Sequence, residues 1–230
     1  MPHWRKGVFR RKGQNSGQCR VIGVIGAGRR TGVTHLCVLM ANYLTGAGQR
    51  RTAVIEWNDH GDFRRMEKVC ARRENVAGKK EENVFKALGV TYFGRGDADT
   101  LAGCMNGPYD DIIIDFGEAA PAPRAEWLRC QVRMMVVSFS EWQLEDASGM
   151  MEQNGRPCRS WIYLAAFGSE WTRREVERQL GVPVFRIPFS ADAFRIDRSL
   201  MRWGFCSRVP AGGCKRRTIS AGLGARYRRR

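Results

Sequence analysis

Between residues 20 and 187 the chain alternates short apolar runs with amphipathic ones, and this alternation limits the fold more than any other feature. The stretch CRVIGVIG and residues 52–57, 90–93, 111–116, 134–139, 160–166 and 184–187 read as strands. Residues 35–45, 62–73, 97–105, 124–130, 141–152 and 170–180 carry helical spacing, with Leu36, Leu39, Met40 and Tyr43 on one side of the first helix and Asp62 near the start of the second. The strands are β-branched and do not alternate apolar with polar, so both faces of their sheet need covering. The expectation is one α/β domain over residues 20–205, a mostly parallel sheet with helices on both faces. Ligands of such sheets sit at the carboxyl ends of the strands.

The net charge of +16 belongs to the two ends. Residues 1–20 contribute +6 and residues 206–230 contribute +8, neither segment holding an acid, which leaves +2 for the middle. Residues 1–19 and 206–230 are also rich in Gly and polar residues and are expected to be flexible basic arms. Such arms bind nucleic acid by counterion release, bind anionic membrane, or only solubilise the domain, and charge alone does not choose. No apolar run approaches the roughly 18 residues of a membrane span, and no signal-peptide pattern follows the basic start. A cytoplasmic chain is expected, with the inner membrane face as a peripheral location. The eight cysteines are scattered, without a CxxC pair, and His3, His35 and His60 are isolated, so buried reduced thiols and no metal site of the zinc type are expected. Trp127, Trp142, Trp161, Trp171 and Trp203 read as core or helix-face packing rather than as platforms for stacked bases.

The most informative stretch is Gly26-Ala27-Gly28-Arg29-Arg30-Thr31-Gly32-Val33-Thr34-His35, which leaves the first strand and opens the first helix. A tight loop in that place aims backbone N–H groups and a helix dipole at one point, which suits phosphate. In the GxxxxGK[ST] register, Gly32 is the second glycine, Thr34 is the hydroxyl that reaches Mg²⁺, and Val33 replaces the lysine. Further on, Tyr109-Asp110-Asp111-Ile112-Ile113-Ile114-Asp115 forms a strand ending in an acid, where such proteins place a second Mg²⁺ contact. The rival is an NAD(P)-binding Rossmann unit, with Gly26 and Gly28 as its first glycines and Glu56 on the ribose; its third glycine is missing, as Thr31. Thr34 as a helix cap and Asp115 as a turn residue are the plainer alternatives.

With these residues in place, GAGRRTGVTHLCVLMANYL resembles the deviant P-loop and following helix of the MinD/ParA-like ATPases, and is most similar to the TadZ/CpaE branch of pilus-assembly localisation proteins, whose loop often reads GAKGGVGATT. TAVIEWNDHGDF is similar to the second strand and first switch of that family, YDDIIIDFG to its second switch strand, and VPVFRIPFSADAF to its IPxD-like segment. The resemblance covers most of residues 20–200 and implies a P-loop NTPase fold. It assigns the loop from Gly26 to His35 and Pro188 to nucleotide contacts, and Thr34 and Asp115 to Mg²⁺.

The departures are chemical. The family's signature lysine falls at Gly28, the ordinary P-loop lysine at Val33, two loop glycines at Arg29 and Arg30, and the second switch acid, two residues after Glu56, at Asn58. Arginine is ill suited to the φ > 0 that glycine tolerates, though its guanidinium forks onto phosphate. An amide takes up no proton at neutral pH. Phosphoryl transfer relies on positioning and charge neutralisation, so ATP or ADP with Mg²⁺ is expected to bind weakly or not at all, with little or no hydrolysis, and no other cofactor is expected. The resemblance implies a homodimer that serves a pilus or secretion apparatus as an assembly or positioning factor. The alternatives are a ParA-like partition or conjugation protein that holds DNA through its basic ends, and the NAD(P)-binding protein.

Overall fold

Among the described residues, eight strands form one sheet in the order β3-β4-β2-β5-β1-β6-β7-β8. The computed structural model describes residues 19–74, 83–152 and 156–203, so the two basic arms predicted at the ends lie almost wholly outside the described residues. Along the chain the elements are β1 (Arg20–Gly26), α1 (Val33–Gly46), β2 (Thr52–Glu56), α2 (Asp62–Glu74), β3 (Val84–Ala87), β4 (Val90–Phe93), α3 (Ala98–Met105) and β5 (Asp111–Glu118). There follow α4 (Arg124–Arg129), β6 (Val132–Phe139), α5 (Leu144–Met151), β7 (Ile162–Gly168), α6 (Glu170–Leu180), β8 (Val184–Arg186) and α7 (Arg198–Trp203).

Neighbouring strands pair in parallel except β3, which turns back antiparallel on β4. Side chains alternate between two cores. Ile22, Val24, Ile113, Met134 and Val136 face α1, Phe63 of α2 and Leu200 of α7. Val21, Ile25, Ile112, Ile114, Met135 and Val137 face Cys104, Trp127, Ala147 and Val176 from α3, α4, α5 and α6. Helices therefore cover both faces, which is why the strands read as unbroken apolar runs.

Two elements, β3 and α7, are absent from the sequence-based expectation, which does contain β4. The β3–β4 hairpin turns through Leu88 and Gly89, both at positive φ (49° and 82°), where a type I′ turn normally carries Asn or Asp first. Leucine in that place hides the turn signal. The other is α7, too short to show helical periodicity; Asp197 starts it by accepting from the Leu200 N–H (3.0 Å), and Leu200 anchors it. The helix predicted over 141–152 is shorter, because Glu141–Gln143 form a turn ahead of α5. The tryptophans divide: Trp127 is buried and meets Trp161 edge to face at 5.2 Å, whereas Trp142 and Trp171 are 80% and 75% exposed and so depart from the packing role expected of them. No described helix is long and apolar enough to cross a membrane.

Candidate phosphate-binding site

Chain order 1-5-2 in the middle of the sheet decides what the glycine loop belongs to. β5 lies between β1 and β2 and pairs with both, setting Gly26 opposite Glu118 and Glu56 opposite Asp115. A Rossmann unit pairs its first and second strands directly, so that the acid ending the second strand reaches the ribose. Here a whole strand separates Glu56 from the loop, and the NAD(P) reading is corrected on that ground. A glycine loop on β1 with an acid-ended strand beside it is the arrangement of a P-loop NTPase.

The loop is pinned at its root. The Ala27 N–H donates to the Val136 carbonyl (2.9 Å), and the Gly26 carbonyl accepts from the Ala119 N–H (2.9 Å). The Thr31 hydroxyl closes the turn on the Gly28 carbonyl (3.1 Å) and lies where a Cβ on Gly26 would come within 2.3 Å of it. Gly32 holds φ +93° at the N-cap of α1, and no side chain caps that helix. The first-turn N–H groups, which have no partner within the helix, thus open on a cleft of about 530 Å³ lined by Gly28 through His35. Gly26 and Ala27 shape the loop from below and do not line the cleft.

Thr34 lines the cleft, and Asp115 lies behind it, buried and outside the lining. The Thr34 hydroxyl donates to Oδ2 of Asp115 at 2.7 Å and lies 3.5 Å from Oδ2 of Asp62. Oδ1 of Asp115 accepts from the Gly117 N–H (2.9 Å) and from Nδ2 of Asn58 (3.1 Å), which also donates to the Asp115 carbonyl (3.0 Å). Asp115 is fully buried, and burial pushes its carboxyl up against the opposing pull of the Thr34 hydroxyl and the Gly117 N–H. A hydroxyl and a carboxylate with a second carboxylate nearby are hard oxygen donors of the kind Mg²⁺ takes alongside phosphate oxygens and water. Among the described residues no group of three or more His, Cys, Asp or Glu converges as a metal cage.

Glu56 does other work. Its carboxylate accepts from the backbone N–H groups of Asp62 (2.6 Å) and Phe63 (3.2 Å), holding the start of α2, and burial raises it to about 7 despite those bonds. Asn58 is engaged on both sides, donating to Asp115 and accepting from the His60 N–H (2.9 Å). A carboxylate at 58 would lie against the Asp115 carboxylate; an amide fits.

The cations differ in availability. Arg29 pairs with Glu118 at 3.1 Å, and Nε2 of His60 lies 3.8 Å from the same carboxylate. Arg65 lines the cleft and pairs with Asp62 at 2.6 Å. Arg30 takes φ +57°, contrary to the expectation that arginine is unsuited to the left-handed region, at a backbone cost of about 1–2 kcal/mol. Its guanidinium has no ion pair among the described residues. His35 also lines the cleft, and its buried Nε2 has no hydrogen-bond partner among the described residues. Pro188 is placed elsewhere, in a separate cavity with Glu170, Arg173 and Trp203. Sequence reasoning missed His60, Arg65, Gly117 and Glu118 and took Asp62 only as a helix start. Their signal was positional: His60 and Arg65 follow the end of β2, and Gly117 and Glu118 close β5, the strands nearest β1 on one side.

No protein-family model matches the sequence, and no curated protein is similar enough to match it. Solved structures do match. A ParA family ATPase from Chlorobium tepidum TLS is 16% identical, with a TM-score of 0.51 over 76% of this chain and 86% of that one. The MinC:MinD cell division protein complex of Aquifex aeolicus matches at 15% identity and TM-score 0.53, over 75% and 82%. A putative plasmid partition protein from Borrelia burgdorferi B31, bound to AMPPNP, matches at 12% identity and TM-score 0.54, over 80% and 95%. The fold is that of the MinD/ParA P-loop NTPases.

Proposed function

We propose that the chain is a degenerate MinD/ParA-like protein that binds a nucleotide at the glycine loop, hydrolyses it slowly or not at all, and works as an assembly or positioning factor. The observation that carries this is the 2.7 Å bond between Thr34 and Asp115 at the mouth of an uncapped α1. Backbone N–H groups from Gly28 to His35 take the phosphates, and Arg30 supplies the one charge not already paired among the described cations of the loop. Thr34 and Asp115 hold Mg²⁺, which supplies charge neutralisation on the phosphate oxygens when bound. Val33 is buried in the core and offers no cation, and Asn58 offers no base for water. Binding therefore outlasts catalysis.

The client follows from resemblance alone: a homodimer serving a pilus or secretion apparatus, as in the TadZ/CpaE branch. A second reading, a partition-type protein holding DNA through its basic ends, is favoured by the plasmid partition protein among the fold relatives and by the acid-free termini. Binding to duplex DNA that falls steeply with added salt supports it; retention on anionic vesicles without DNA affinity supports the pilus reading.

Calorimetry with Mg²⁺ and ATP tests the site. Weak binding with turnover near background is expected. Thr34→Ala and Asp115→Asn are expected to abolish the contribution of Mg²⁺, and Val33→Lys to tighten binding roughly tenfold or more, the worth of one charge-assisted contact. Rapid turnover by the unaltered chain refutes the proposal.

A further inference from the structure

An apolar groove of about 460 Å³ opens on the sheet face covered by α1, α2 and α7, beside the β3–β4 edge. Met66, Val69 and Cys70 of α2 line it, with Ala87 and Leu88 from the end of β3 and its turn and Phe194 from the loop before α7. Met66, Cys70 and Phe194 pack against the buried core that holds Ala87, so the groove is an outward extension of that core. In α2 the three lining apolar residues stand at i, i+3 and i+4, the spacing of one helical stripe.

The rim of the groove departs from what the chain's own folding asks for. Leu88 is 66% exposed and Val69 is 51% exposed. Leu88 also holds φ 49°, a conformation that asparagine, aspartate or glycine adopts with less strain. Neither the turn nor burial within the chain accounts for a leucine there. An apolar surface that meets a second molecule does.

The charge around the groove is cationic. Arg65 is the charged residue of the lining and pairs with Asp62 at 2.6 Å. Arg64 and Lys68 on α2, and Arg195 next to Phe194, are exposed and have no ion pair among the described residues. The acids close by in the sequence are engaged. Oδ1 of Asp192 accepts from the Phe194 N–H (2.9 Å), Oδ1 of Asp197 accepts from the Leu200 N–H (3.0 Å), and Glu67 has a partner of its own.

We infer that this groove docks an acidic amphipathic helix of a partner protein, its apolar stripe seated against Val69, Leu88 and Phe194 and its carboxylates facing Arg64, Lys68 and Arg195. Helices that lie in such grooves anchor through side chains at i, i+3, i+4 and i+7. Complementary charge sets which helices are accepted. A nucleic-acid duplex presents no apolar stripe to fill the groove. The docking surface does not rest on nucleotide binding at the glycine loop.

Fluorescence anisotropy of the full chain with a labelled Leu/Glu peptide of about 18 residues, leucines at i, i+3, i+4 and i+7, tests this. A Ser/Glu peptide of the same charge and a Leu/Lys peptide are the controls, because the acid-free termini attract any acidic peptide. The Leu/Glu peptide is expected to bind about tenfold tighter than the Ser/Glu peptide, the worth of one buried leucine, and the Leu/Lys peptide is expected to bind weakest. Leu88→Asn and Val69→Asp are each expected to bring Leu/Glu binding down to the Ser/Glu level. The urea midpoint of Leu88→Asn is expected to hold or rise, since asparagine suits the turn; Val69→Asp, on an exposed helix surface, carries the test if it falls. Equal binding of the Leu/Glu and Ser/Glu peptides overturns the proposal, as does Leu/Glu binding that neither variant weakens. Leu/Lys binding as tight as Leu/Glu overturns the choice of an acidic partner. Retention on phosphatidylglycerol vesicles that is lost in Leu88→Asn would make the groove a membrane contact and overturn it too.

Discussion

Two aspartates four residues apart on β5 show how little a residue's identity says without its surroundings. Asp111, at the amino end of the strand, is clasped by Arg20 at 2.7 Å and by Arg50, and so works as a buried structural ion pair. Asp115, at the carboxyl end, meets a hydroxyl, an amide and a backbone N–H, none of them cationic. In the sequence both bracket the same Ile112–Ile113–Ile114 run; the direction of the strand tells them apart. Gly26 is the residue on which the loop turns most sharply. Gly26→Ala would drive a methyl to within 2.3 Å of Oγ1 of Thr31 and 2.9 Å of Cγ2 of Val33. A loss of about 1–3 kcal/mol in denaturant unfolding is expected, the usual scale for overpacking. An unchanged midpoint would show that the loop does not close on Thr31.

Among the elements, α6 was the most completely legible. Ser169 accepts from the Thr172 N–H at 3.0 Å and Gly181 ends the helix at φ +64°, so both caps stand in the sequence where the chemistry of capping puts them. Ser169→Ala is expected to lower stability by about 1 kcal/mol in urea unfolding while leaving nucleotide binding untouched. What the helix does next was not legible. Its Glu177 accepts from the N–H of Val184 at 3.2 Å and its Arg173 donates to the carbonyl of the same residue. These side chains cover outward backbone groups of β8, the strand at one edge of the sheet, in the manner of edges guarded against pairing with another chain. β4 was read as a strand, but its partner β3 escaped because the turn between them uses Leu88 at φ 49°, a conformation that composition does not announce.

For the whole molecule, stability is expected to fall as pH rises from the ordinary carboxylate range toward 7. Burial holds Glu56 near 7 in the folded chain, while in the unfolded chain it titrates at about 4.3. Across that window the folded state binds more protons, so its advantage is complete at the acid end and is lost as pH passes the folded value. Asp115 is raised too and acts in the same direction. Urea midpoints measured between about pH 5 and pH 8 should show this slope, shallower in Glu56→Gln because, of the carboxylates raised by burial among the described residues, Asp115 then remains; an identical slope in the variant would remove Glu56 as its source. The sequence by itself determined that strands and helices alternate and that a glycine loop leads into α1, since periodicity and turn chemistry are local properties. Tertiary structure decided the rest. Inserting β5 between β1 and β2 brought Asp115 to Thr34, gave Glu56 to the start of α2, and set Arg65 and Glu118 around the same cleft. Strand order rests on how buried faces fit across the whole sheet, and no stretch of chain short enough to read by eye records it.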